Sequence, residues 1–298
     1  MIDKNDRMRT FILSKIVHRT VLSALFISSC SYGAQLVVYP LPESHLDQRA
    51  NYYIELLQLC AARSNEQIQL QASVFHAQQG RNLRLLEQNK GVDVVWTLSS
   101  EERERKFLPI RIPLDRGLLG WRLLLIKKRD IARFASVKNN SDLAGLSAGQ
   151  GHDWPDLEIL LKNGFKTSSS SSYEGLFAML ARDHIQYFPR SILEVWPELQ
   201  SHENLSLVVA PTLVLHYPAA IYFFVNKSNV TLAKQLESCL ETAITDGSFR
   251  KLFEQYYRSA IDQANLSDKT VIRINNPLLP AATPLSRSGF WFSPGEKR

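Results

Sequence analysis

Cysteine and methionine are scarce in this 298-residue chain, with three of each. Three cysteines cannot build a disulfide framework, and there is no CxxC and no Cys/His pairing at zinc spacing. No apolar run reaches the ~18–20 residues that a spanning helix needs. The Walker loop, G-x-S-x-G and H-E-x-x-H are missing too, so the commonest signatures of nucleotide, acyl-transfer and metalloprotease chemistry are not available. The seven histidines are scattered, and His152 beside Asp153 is too little for a metal site. No internal repeat is visible. The formal charge of +6 is modest, and residues 1–34 hold half of it through Lys4, Arg7, Arg9, Lys15 and Arg19 against Asp3 and Asp6. Without a clustered basic face, nucleic acid is not an expected partner.

What the chain does have is the composition of a packed globular protein, 45% hydrophobic and 21% charged. Residues 1–34 read as a secretory signal, with a basic start, an apolar run from Val21 to Ile27 and small residues after it. Met8 is an alternative start. Cleavage near Ala34 is one reading, and Ile27-Ser28-Ser29-Cys30 as a lipobox acylated on Cys30 is another. A first helix of the domain is the third. Cys60 and Cys239 lie on apolar helix faces, where packing as buried thiols is the first expectation and a disulfide in an exported protein the second.

From residue 36 onward, strand-like and helix-like segments alternate, as in layered α/β folds. Strands are expected at Leu36–Tyr39, Ile68–Ala72, Val92–Trp96, Leu123–Ile126, Leu146–Ala148, Ile185–Phe188, Leu205–Val209 and Ala220–Val225. Helical spacing predicts helices over Tyr52–Ala62, Asn82–Gln88, Pro155–Asn163, Tyr173–Ala181, Ser191–Leu199 (interrupted by Pro197), Leu232–Ile244 and Phe249–Tyr257. Pro155 suits a helix first turn, and Gly164 its stop. Pro277, Pro280, Pro284 and Pro294 preclude a regular helix at the end of the chain. Phe290, Trp291 and Phe292 there predict an extended arm packed on the body.

Three stretches carry a resemblance. They are GVDVVWTLSSEERERKFLP (residues 91–109), LSAGQGHDWPDLEILLKNGF followed by SSYEGLFAMLARDHIQYFPRSILEV (146–165 and 171–195), and LAKQLESCLETAITDGSFRKLFEQYY (232–257). In this order and spacing the chain resembles the bacterial extracellular solute-binding proteins of family 3, over roughly Leu36 to Tyr257. The resemblance implies an α/β, two-lobed, type II periplasmic-binding-protein-like fold, with two sheets, flanking helices and two crossover strands. Lobe I would be 35–115 with 219–262, lobe II 116–218, and 263–298 an extended arm. It implies a periplasmic monomer that takes up a small-molecule solute for an inner-membrane permease or sensor, with no cofactor and no catalysis. A solute would sit where strand ends and helix starts converge.

In amino-acid-binding members an arginine of the Glu-Arg-Glu segment holds the ligand carboxylate, and Arg103 matches it. A planar guanidinium suits that task. The run Glu101 to Lys106 also reads as a solvated charged face. The hydroxyl residue that usually stands five positions before the arginine is Leu98 here, with Ser99 and Ser100 nearby. Where amino-acid binders offer an acidic group to the ligand ammonium, this chain has Tyr187-Phe188-Pro189-Arg190. An anionic or bulky polar solute between Arg103 and Arg190 is therefore the expectation, with a surface role for Arg190 the alternative. Gln150, Gly151 and His152 lie at a helix start that could hold an anion, and Ser172 is a candidate N-cap at a second. Trp96, Trp121, Trp154 and Tyr187 are candidates for stacking or for the core. A dehydratase-like enzyme of the same fold would have to draw on Glu174, His152 or Glu194.

Overall fold

A computed structural model describes residues 34–41, 50–64 and 68–296. The leader, Met8 and Cys30 lie outside the described residues. Five strands form one group. β1 (Gln35–Leu41) leads into α1 (Ala50–Arg63) and pairs in parallel with β2 (Ile68–His76). α2 (Gln79–Glu87) follows, then β3 (Val94–Leu98), α3 (Glu101–Lys106) and β4 (Phe107–Ile110). Asp93 ties β1 to β3: its amide donates to the Val38 carbonyl and its carboxylate accepts from the Val38 amide.

After ten residues a second group begins with β5 (Trp121–Lys127), which is buried along its whole length. Leu123 and Leu125 face Leu176, Phe177 and Phe188, whereas Leu124 and Ile126 face Phe134, Leu143 and Ile159. A strand apolar on both faces is what helices on both sides of a sheet require. α4 (Ile131–Ala135), α5 (Asn140–Ala144), β6 (Ala148–Gly151), α6 (Pro155–Lys162) and β7 (Thr167–Ser170) come next. α7 (Tyr173–Ala181), β8 (Phe188–Ser191), α8 (Val195–Ser201) and β9 (Leu207–His216) complete the group. β5 pairs antiparallel with β8 and β9, and β6 pairs in parallel with β7. The chain then returns to the first group as β10 (Ile221–Asn226), between β3 and β4.

α9 (Val230–Thr245) and α10 (Ser248–Ala264) cover the first group, packing on α1. Cys60 of α1 and Cys239 of α9 form a disulfide across 179 residues of sequence. The first expectation, two buried thiols, is thereby corrected: apolar faces of packed helices bring the sulfurs together as well as burying them. The buried face of α1 holds Tyr53, Leu56, Leu57 and Cys60, while Ile54 and Ala61 sit at its margin.

Several expected elements move. β6 and β8 begin two and three residues later than their apolar patterns suggest, so Gln150 and Gly151 belong to a strand. Pro197 falls in the first turn of α8, where its missing amide costs nothing, and interrupts no helix. β9 runs on through Pro211 because the proline sits in an irregularity between Val209 and Val214. The end of the chain is more than an arm. β11 (Thr270–Arg273) adds a parallel strand to β9, and residues 274–296 then cross back over the first group. Phe290 is buried there, and Trp291 and Phe292 are half-buried.

The two connections 111–120 and 217–220 lie side by side. The Tyr217 amide donates to the Gly120 carbonyl, and the Leu114 amide to the Ile221 carbonyl. A Cβ on Gly120 would stand 2.0 Å from the Tyr217 carbonyl oxygen, so only glycine permits this approach.

Candidate functional site

Ser99 and Ser100 follow the end of β3, Gln150 and Gly151 end β6, and Arg190 and Ser191 end β8. Open α/β layers present ligand sites at such strand ends. The two serines are engaged locally. The Ser99 hydroxyl donates to Glu104, which also pairs with Arg111, and Ser100 caps α3 by accepting from the Arg103 amide.

Arg103 is half-buried. Its guanidinium donates to the Leu98 carbonyl (2.5 Å) and to Gln79 Oε1 (2.9 Å). Among the described residues no carboxylate lies within ion-pair distance of it. Burial lowers its pKa, and neighbouring Glu102 opposes that shift. Two fixed donors are thus spent on orientation, and the charge is left unpaired. Leu98, which breaks the family pattern as a side chain, serves through its backbone oxygen.

Arg190 has the opposite environment. It donates to both oxygens of Glu198 (2.6–3.0 Å) and reaches Glu194 at 3.1 Å. Arg122 of β5 joins the cluster through Asp156 (2.6 Å) and Glu194 (3.6 Å). The Tyr217 hydroxyl donates to Asp156. All five charged side chains are at most 16% exposed, and carboxylates outnumber arginines by three to two. Burial works against each cation, but the carboxylates outweigh it and raise both arginine pKa values. The rings of Trp154 and Phe188 lie 4.8 and 5.0 Å from the Arg190 guanidinium, and Tyr173 lies at 5.9 Å. An anion clasped between Arg103 and Arg190 does not fit this arrangement, because Arg190 is already bound to two carboxylates. Nor is Arg190 a surface residue. Its acidic partners lie four and eight residues along, just before and in α8; the sequence marks Glu194 only as an acid–base candidate, and Glu198 carries no sequence signal.

Gln150 is buried, and its Oε1 meets no donor among the described residues. Gly151 leaves room for Trp154, whose ring a Cβ would meet at 2.4 Å. His152 is exposed beside Asp153, 3.7 Å away. Ser172 caps α7 by accepting from the Gly175 amide. Tyr187 packs edge-on against Phe134, fully buried, so it serves the core and not a stacking surface. Trp96 stacks on Tyr53, also on the core side of its sheet. Trp121 is buried against His216 and Phe292. Of the acid–base candidates, Glu174 bonds His202 and Glu194 is bound to arginines. Among the described residues no hydrogen bond or ion pair joins the Arg103 side chain to a candidate of the second group, and residues 42–49, which follow β1, lie outside the described residues. Among those described, no three His, Cys, Asp or Glu side chains could hold a metal ion.

No family model matches the chain, and no curated protein matches it. Solved structures do. An ancestral arginine-binding protein bound to arginine aligns over 76% of this chain and 98% of its own, at 16% identity and a TM-score of 0.53. A probable amino-acid transporter extracellular-binding protein from Bacillus subtilis aligns over 75% and 97%, at 17% identity and a TM-score of 0.58. A histidine kinase sensor domain with similarity to periplasmic binding proteins aligns over 75% and 96%, at 14% identity and a TM-score of 0.52. The fold is therefore the two-lobed periplasmic-binding-protein fold.

Proposed function

We propose that this two-lobed chain is a periplasmic solute-binding protein of the family 3 type, which captures a small solute with an anionic group and hands it to a membrane permease. The observation that carries the reading is the contrast between arginines. Arg122 and Arg190 are neutralised by three carboxylates, while Arg103, in α3 just after β3, is oriented and has no counter-ion among the described residues. A partly desolvated cation without a counter-ion gains from a partner that completes it. A carboxylate or phosphate on the solute would do so.

The solute's other end would meet the acidic wall around Glu194 and Glu198, and Gln150 Oε1 offers an acceptor for an N–H donor. Binding without turnover is the simplest role, since Glu174 and Glu194 are committed to other side chains and His152 stands exposed. The Cys60–Cys239 disulfide supports an oxidising compartment. Among the described residues no helix is long and apolar enough to cross a membrane. A sensor that reports its loaded state to a membrane receptor is the second reading, favoured by the likeness to a kinase sensor domain.

The test is a thermal-shift screen of the purified protein against amino acids, dicarboxylates, phosphorylated compounds and neutral oligosaccharides. A solute at ~100 times its dissociation constant adds about 2.7 kcal/mol. Shifts confined to compounds with an anionic group support the reading, and a shift produced by neutral sugars alone overturns it.

A further inference from the structure

We take the β5–β9 group as one lobe, the second, and the β1–β4 and β10 group as the first, and hinge closure of such lobes bends the segments that connect them. In this chain the segment after α10 makes two more passages. It enters the second lobe as β11 on β9, and residues 274–296 then return to the first. We propose that residues 274–296 are a strap that holds the hinge and sets how far the lobes open.

The strap is anchored on the second lobe by a reciprocal pair between Asn163 and Asn275: each side-chain or backbone donor of one meets an oxygen of the other, at 2.8 and 3.2 Å. It then grips both connections. Asn276 Nδ2 donates to the Pro218 carbonyl at 2.8 Å. On the other connection the Phe292 amide donates to the Arg116 carbonyl at 2.7 Å, and the Arg116 guanidinium donates to the Trp291 carbonyl. The same guanidinium holds the Glu296 carboxylate bidentately at 2.6 and 2.9 Å.

Arg116 and Gly117 both have positive φ, 53° and 73°. A non-glycine residue in that region is uncommon and needs its surroundings to hold it. Asp115 holds the turn from within by accepting from the Gly117 and Leu119 amides, and the strap holds it from outside. The Trp291 ring covers Gly117 so closely that a Cβ there would meet it at 2.5 Å. Arg287 then fastens the strap to Glu241 of α9 at 2.5 and 2.9 Å. A bend at 111–120 that changed the Arg116 backbone would break its bonds to Trp291, Phe292 and Glu296 together. The arm still has room to shift, because a cavity of about 450 Å³ separates part of it from α9 and α10.

The experiment is the spin-label distance distribution across the lobes in the full chain without solute, so its outcome stands apart from that of the solute screen. Labels go on Glu158→Cys in α6 and Glu237→Cys in α9, both exposed, in a Cys30→Ser background with the native disulfide intact. One variant combines Glu296→Gln with Asn276→Ala, which weakens one side-chain latch on each connection and leaves the buried core alone. A second, Trp291→Ala, uncovers Gly117. The strap predicts a distribution roughly twofold wider in each variant than in the parent, as expected when a restrained hinge is freed. An unchanged distribution in both folded variants, even with a lower melting temperature, would reduce the arm to a stabilising cover and overturn the proposal.

Discussion

Two arginines, Arg122 and Arg190, are structural because carboxylates surround them, and a third, Arg103, has no ion pair among the described residues, which is why the proposed function assigns it to the solute. Truncating Arg190 strands Glu198 in the interior and leaves Glu194 only its 3.6 Å contact with Arg122. Removing one partner of a buried pair costs about 3–5 kcal/mol. Arg190→Met should therefore lower denaturant stability by that order, and Arg190→Met with Glu198→Met by clearly less. If the double variant is no better than the single, the cluster is not the coupled unit described here. Asp115 in one connection and His216, the last residue of β9 just before the other, have opposed titrations. Burial, aided by Arg273, depresses His216 to about 4, and burial lifts Asp115 to about 6 against the Leu119 and Gly117 amides that it accepts. Below the ordinary histidine range the unfolded chain takes up a proton that folded His216 refuses, so this group lowers stability as pH falls from about 6.5 to about 4. Asp115 acts the other way, because between about 6 and 4 the folded state holds the extra proton. His216→Gln should lose less melting temperature than wild type between pH 7 and pH 5, and Asp115→Asn should lose more. Parallel curves for all three proteins would contradict both assignments.

Between elements, the disulfide joins α1 to α9 within the lobe that contains α10 and the strap. Cys60→Ser with Cys239→Ser should cost roughly 2–5 kcal/mol, read as a lower denaturant midpoint under oxidising conditions and no difference under reducing ones. The sequence made most of these elements visible wherever both faces are apolar, as in β5, or a helix has a clear buried stripe, as in α9. It concealed those whose signal is carried by their neighbours. The serines of β7 bear no apolar alternation because this strand lies at a sheet edge and pairs only with β6. β11 is four residues long and is fixed by β9, which lies more than fifty residues earlier. The shift of β6 and β8 moved Gln150 and Arg190 from loops into strands, and with it the expected partner of Arg190 changed from a solute to Glu198. Arg103 stayed legible because its segment is local, since the cap, the backbone acceptor and the arginine all lie within residues 98–103.

At the scale of the molecule, two α/β lobes meet where residues 111–120 and 217–220 run side by side, and the chain's last residues lie across that junction. Such an arrangement closes on a solute only if the solute supplies the contacts that favour the closed state. In the proposed site, Arg103 at one end and the Glu194–Glu198 cluster at the other would give that solute a polarity. The most direct check is the thermal-shift panel run in parallel on wild type, Arg103→Ala and Arg105→Ala, the last being an exposed neighbour of like charge. The account predicts that anionic compounds raise the melting temperature of wild type and Arg105→Ala and leave Arg103→Ala unmoved. Shifts that survive in Arg103→Ala, or a wild type that no compound shifts, would contradict it.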